Sequence, residues 1–199
     1  MISKLPEAHN KHLVVIQFLD NNELFTGKSL ATMINQNCRY IANVHYFPFF
    51  NGESLKEFLS SNLSDFLKED SEVIIYIDSH GTENSNGIAT KQDAFLDWDT
   101  LVNGLKIACD KLLKKPILIL TACNGIGINK VIDQLEKPVI SKLIAGNGEM
   151  KDGPVLGAFC NLLESKGTTI NSNDVMSIND KIKIRFPDHP NFEYIEYKN

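Results

Sequence analysis

The sequence has 199 residues and a mass of 22.3 kDa, with 43% hydrophobic and 23% charged residues. That is enough for one large domain with a real core, and it excludes wholesale disorder. The 20 Lys and Arg against 25 Asp and Glu leave a net charge of -5, which disfavours a grip on a phosphate backbone.

The first segment rich in β-branched residues, 12–18, reads as a buried strand. Residues 28–35 read as a helix, and 39–47 as a second strand closed by Pro48. Over 53–68 the apolar residues Leu55, Phe58, Leu59, Leu63, Phe66 and Leu67 fall on one stripe, the mark of an amphipathic helix. A third strand spans 73–77, and 87–96 reads as a small hairpin. Asp97 can cap a helix running to about residue 114, with Leu101, Leu105, Ala108 and Leu112 inward and Pro116 as the stop. A fourth strand covers 117–120, a short helix 128–136, and a fifth strand 139–145. Residues 155–164 carry a helical stripe that Gly167 terminates. Residues 181–186 alternate like a strand, whereas those before them have helical spacing. Strands alternating with helices define an α/β fold: a three-layer sandwich with a mostly parallel central sheet flanked by helices, in a single domain over 1–199.

No apolar run approaches the ~18 residues that cross a bilayer. The start, Met1-Ile2-Ser3-Lys4-Leu5-Pro6-Glu7, lacks the charged-then-apolar layout of a signal peptide. A cytoplasmic chain with no membrane and no nucleic-acid partner is expected. Cys38, Cys109, Cys123 and Cys160 are scattered, without a C-x-x-C pair, so they read as free thiols rather than disulfides or metal ligands. The histidines form no metal pattern, and neither a metal nor a cofactor is expected. Cys109 and Cys160 fall in helical patterns and read as core, as does Cys38.

In open parallel sheets chemistry gathers at the carboxyl ends of the strands. Two ends differ from the rest. The third strand runs into Asp78-Ser79-His80-Gly81, and the fourth into Thr121-Ala122-Cys123-Asn124-Gly125. If these strands are neighbours, an imidazole and a thiol share one sheet edge. An ordinary thiol is only a few per cent thiolate at neutral pH, and a nearby histidine can take its proton and later protonate a leaving amine. The backbone N–H groups of Gly81 and Cys123 could form an oxyanion hole. Asp78 alternates with His80; it either orients the imidazole or, the favoured reading, bonds a loop.

A strand ending in His-Gly followed by a strand ending in Ala-Cys resembles the caspase-like cysteine peptidases, clan CD. These include caspases, metacaspases, gingipain-type enzymes, separase and bacterial CHAT domains. The caspase pattern is Q-A-C-[RQG]-G with the histidine about 50 residues upstream. Here Thr121 and Asn124 depart from it, while Ala122-Cys123-x-Gly125 matches. By layout the likeness covers 12–165, and it is nearest to a small stand-alone bacterial CHAT or caspase-like domain. It implies His80 as general base, Cys123 as nucleophile, and a peptide or protein as substrate. It also implies activation by a protein partner or by cleavage, as in bacterial defence or cell-death systems.

In basic-specific relatives an aspartate stands two residues before the cysteine; here that place is Thr121. Caspases bind aspartate through an arginine after the first strand; here 19–23 holds Asp20 and Glu23 and no arginine. Asp20 or Glu23 could bind a basic side chain, or form a solvated loop. The resemblance therefore implies a basic or neutral residue before the cut rather than an acidic one. Two alternatives stand beside the peptidase: a catalytically silent caspase-like signalling module, and a nucleotide-binding α/β domain using Gly125-Ile126-Gly127. The latter lacks a third glycine, and Gly27-Lys28-Ser29 has Asn22 where a phosphate loop needs glycine. Residues 146–153 read as a mobile loop beside the site.

Overall fold

The β-branched runs lie side by side in a computed structural model that describes residues 3–23, 26–92, 94–150 and 152–198. In chain order, β1 (Lys11–Phe18) leads to α1 (Thr26–Asn37), β2 (Asn43–Phe49), α2 (Gly52–Glu57) and β3 (Glu72–Gly81). The hairpin β4 (Gly87–Ala89) and β5 (Phe95–Asp97) precedes α3 (Trp98–Cys109) and β6 (Ile117–Leu120). Then come α4 (Asn129–Ile132), β7 (Lys142–Gly146), α5 (Asp152–Lys166), α6 (Ser172–Arg185) and β8 (Phe192–Glu196). The main sheet runs β2-β1-β3-β6-β7-β8, parallel except for β8, with β4 and β5 branching from the end of β3.

Helices cover both faces, which is why the central strands read as unbroken apolar runs instead of alternating. Val14, Ile16, Ile75, Ile77, Leu118 and Leu120 pack with Leu59, Leu101 and Leu105 on one face. Leu13, Val15, Tyr76, Ile119 and Ile144 pack with Leu30, Ile34, Phe159 and Ile178 on the other. The expected three-layer sandwich is thus present. No helix among the described residues is long and apolar enough to cross a membrane.

Several boundaries differ from expectation, each for a physical reason. The helix expected over 53–68 is not one α-helix. α2 passes into a π-turn over Phe58–Asn62 and a 3-10 turn over Leu63–Phe66. The π-turn adds a residue to one turn, so that Leu55, Leu59, Leu63 and Leu67 are all buried. Leu59 also meets α3 closely, since a Cβ at Gly104 would lie 2.7 Å from the Leu59 Cβ. Strand β2 starts later than expected and runs through Pro48 rather than stopping there. It is an edge strand paired only to β1, where the missing N–H is tolerated. Asp97 caps α3 as expected, its carboxylate accepting from the Thr100 N–H at 2.6 Å, but the helix ends at Cys109. The expected helix over 128–136 shrinks to α4 after a 3-10 turn at Gly125–Ile128.

β7 begins at Lys142 rather than 139, because its partner β6 begins only at Ile117 after Pro116. The ambiguous segment 181–186 belongs mostly to α6, nucleated by a capping box between Asn171 and Asp174. Gly167, with φ +53°, ends α5 as expected. Strand β8 was not foreseen, and Asp93 of the expected hairpin lies outside the described residues.

A histidine pair marks the β1–β2 edge. His12 Nδ1 lies 3.3 Å from His45 Nε2. Burial, then the neighbouring His45 and Lys68, hold the His12 imidazole below its ordinary pKa, with Asp70 acting the other way. Burial lowers His45 as well. Both are then neutral in the folded chain at a pH where the unfolded chain takes up protons. Their contribution is complete above the ordinary histidine value of about 6.5 and is lost as pH falls below it. The urea midpoint is expected to drop between about pH 7 and about pH 5, and the drop to shrink in His45→Phe. An unchanged pH slope in that variant would contradict the assignment.

Candidate active site

The Ile77–Leu120 pair ends the parallel ladder between β3 and β6. His80 and Cys123 each stand three positions beyond that pair, one after each of the two neighbouring strands' last paired residues. Strand β3 continues through His80 because β4 folds back on it, pairing His80 with Ala89 and Gly81 with Ile88. After Leu120 the chain turns instead. The Thr121 N–H donates to Ile77 O at 3.1 Å, and the Gly125 N–H to Ala122 O at 3.1 Å. Asn124 takes the left-handed conformation with φ 52°, which asparagine adopts more readily than most residues.

The two strand ends touch. A Cβ on residue 81 would sit 1.7 Å from the Cys123 carbonyl oxygen, so only glycine permits this approach. Gly81 and Cys123 therefore share one tight backbone contact, made by the Cys123 carbonyl.

Of the four cysteines, Cys123 alone is half-buried; Cys38, Cys109 and Cys160 are buried. Burial pushes the Cys109 thiol up to about 12 and the Cys160 thiol up to about 11. The Cys123 sulfur accepts a hydrogen bond from the Met150 N–H at 3.3 Å. Met150 ends a segment folded over this strand end, with the Asn124 N–H donating to Gly148 O at 3.0 Å. The loop expected over 146–153 is shorter, since Gly146 ends β7 and α5 begins at Asp152; Lys151 lies outside the described residues.

Asp78 does not float at the strand end. Its carboxylate accepts from the Gly27 N–H at 2.7 Å and from the Thr26 hydroxyl, tying the start of α1 to β3. Thr121 is buried, and its hydroxyl donates to Ile77 O at 3.1 Å. Thr26, Tyr76, Asp78, Thr121 and Met150 line a small pocket here.

The acids after β1 are both engaged. Asp20 accepts from the Gln92 N–H at 3.0 Å and is buried. Glu23 Oε1 lies 2.7 Å from His80 Nε2 and 2.6 Å from Lys91 Nζ, and Oε2 accepts from the Asp20 N–H at 3.0 Å. Burial pushes the Glu23 carboxyl up, but the bonds from Lys91 and His80 outweigh it and hold the group below its usual value. The contact of Glu23 with the imidazole, the role of Lys91 and the cover from Met150 have no signature in the sequence.

The glycines of the nucleotide alternative are occupied by packing. A Cβ at Gly127 would lie 2.6 Å from Ser85 O, and one at Gly125 3.0 Å from Leu120 Cγ. Gly127 thus abuts the turn after β3 rather than opening a phosphate cradle.

No family model and no curated protein matches the sequence. Among solved structures, the crystal structure of drICE, a caspase, aligns with a TM-score of 0.57 at 15% identity. The alignment covers 95% of this chain and 88% of drICE. Raptor from Chaetomium thermophilum aligns with a TM-score of 0.41 at 13% identity, over 78% of this chain and 18% of its own. The chain has a caspase-like fold, a mixed α/β sandwich with a mostly parallel sheet. At this identity the likeness is one of fold.

Proposed function

We propose that the protein is a cysteine endopeptidase working through His80 and Cys123, with no cofactor. The observation that carries this is the meeting of the two strand ends, the Gly81 backbone against the Cys123 carbonyl. His80 near the end of β3 and Cys123 in the turn after β6 are then held beside each other, which supports covalent acyl transfer. The Cys123 sulfur attacks the carbonyl carbon of the scissile bond while its proton passes to His80. Backbone N–H groups of Gly81 and Cys123 receive the negative oxygen. The C–N bond breaks as His80 returns the proton to the departing amine, leaving a thioester. Water, giving a proton to His80, attacks the thioester carbonyl; the acid leaves and the thiol re-forms.

The caspase-like fold and the single half-buried cysteine both support this reading. A neutral residue before the cut fits best, because the Asp20 and Glu23 carboxylates are engaged within the chain. The cover of Cys123 by Met150 fits a peptidase switched on by a partner or by cleavage.

The test is incubation of the purified protein with a diverse peptide library beside Cys123→Ala, reading new termini by mass spectrometry. Cleavage that vanishes in the variant supports the proposal and reports the residue before the cut. Equal cleavage by both proteins overturns it, as does an absence of cleavage that persists after limited proteolysis between β7 and α5.

A further inference from the structure

The Glu23 carboxylate is held from three directions. Asp20 N–H donates to one oxygen, and His80 and Lys91 reach the other. Its side chain is 9% exposed and that of Lys91 67% exposed, so the acid is enclosed while the lysine stays in solvent. An ionised carboxylate only accepts hydrogen bonds. The 2.7 Å contact with His80 Nε2 therefore requires the proton on Nε2. In the neutral ring this leaves Nδ1 as the lone pair that can take a proton.

From this geometry we propose that Glu23 is the positioning residue of the site: it fixes the His80 tautomer and ring orientation so that Nδ1 serves Cys123, with Lys91 keeping the carboxylate in place. This rests on the peptidase reading above and deepens it. It also replaces the expectation that Glu23 binds a basic substrate side chain, since the oxygen such a side chain would approach is already taken by His80 and Lys91.

The experiment compares wild type, Glu23→Gln, Glu23→Asp and His80→Ala. Glu23→Gln keeps the size but loses the charge, and an amide can turn its NH2 towards the ring and undo the tautomer. One readout is the rate of carbamidomethylation at Cys123 by iodoacetamide, followed by mass spectrometry, which needs no peptide substrate. The other is kcat and KM on a peptide found by the library. Glu23→Gln is expected to slow both the alkylation and kcat, kcat by roughly a hundredfold, the lower end of what a positioned base contributes. KM and the melting midpoint stay near wild type, and Glu23→Asp recovers part of the rate.

Two results overturn the inference while leaving the dyad intact. One is alkylation of Glu23→Gln at the wild-type rate while His80→Ala slows it. The other is a rise confined to KM for peptides with a basic residue before the cut, which would make Glu23 a pocket acid. If His80→Ala also alkylates at the wild-type rate, the dyad itself fails and Glu23 loses its role with it.

Discussion

Gly81→Ala is expected to damage both fold and site. The added methyl would lie 1.7 Å from the Cys123 carbonyl oxygen and 2.6 Å from its carbon. These are backbone atoms with no flexible end to swing away. Overpacking of this kind costs about 3 kcal/mol, a drop of roughly 6–12 °C in melting midpoint for a chain of this size. Relief can come only by parting β3 from the turn at Cys123, which would separate the proposed base His80 from the proposed nucleophile Cys123. Activity should therefore fall further than the fraction folded. Gly157→Ala is the control. It lies within α5, and a Cβ there meets nothing within 4 Å. The gain in helix propensity should raise stability by about 0.5–1 kcal/mol. Equal melting midpoints for Gly81→Ala and wild type would show that the two strand ends do not touch as described.

The second large effect is expected at the dyad. Cys123→Ala removes the only atom that can carry the acyl group, so cleavage should be undetectable. His80→Ala leaves an unaided thiol and should reduce kcat by about 10²–10⁴, the range for positioned acid–base groups. Neither change should unfold the chain. The Cys123 side chain is half-buried and that of His80 is 28% exposed, so truncation opens no large sealed cavity. Melting curves close to wild type, together with lost cleavage, separate this account from a structural role. Cleavage near the wild-type rate in either variant would refute it.

The parts of this fold that were legible in the sequence are those with strong local constraint. Val73 to Ile77 and Ile117 to Leu120 are buried on both faces, so they read as strands without any knowledge of their neighbours. His80 and Cys123 stood out because each closes such a run with a polar, glycine-bearing end. The π-turn at Phe58–Asn62 left no trace, since the apolar stripe survives a one-residue change in hydrogen-bond register. β8 was missed because its FEYIE segment mixes acids and aromatics at the sheet edge, where only one side is paired. The alternation over 181–186 misled for a related reason: Ile182 is buried while Ile184 is 81% exposed, so one of the two isoleucines contributes nothing to the core. The contact between Glu23 and His80 joins residues 57 positions apart. Such long-range polar pairs carry no periodicity and appear only once the loop after β1 is seen against the end of β3.

The account turns on Cys123 being a nucleophile that His80 activates. The most direct measurement is covalent labelling with a panel of peptidyl acyloxymethyl ketones, which need an activated thiol bound beside a substrate-like peptide. Intact mass and peptide mapping then report where the label sits. The account predicts one adduct, on Cys123, formed by wild type and lost in His80→Ala. Labelling of His80→Ala as fast as wild type, or no preference for Cys123 over the buried Cys38, Cys109 and Cys160, would contradict it.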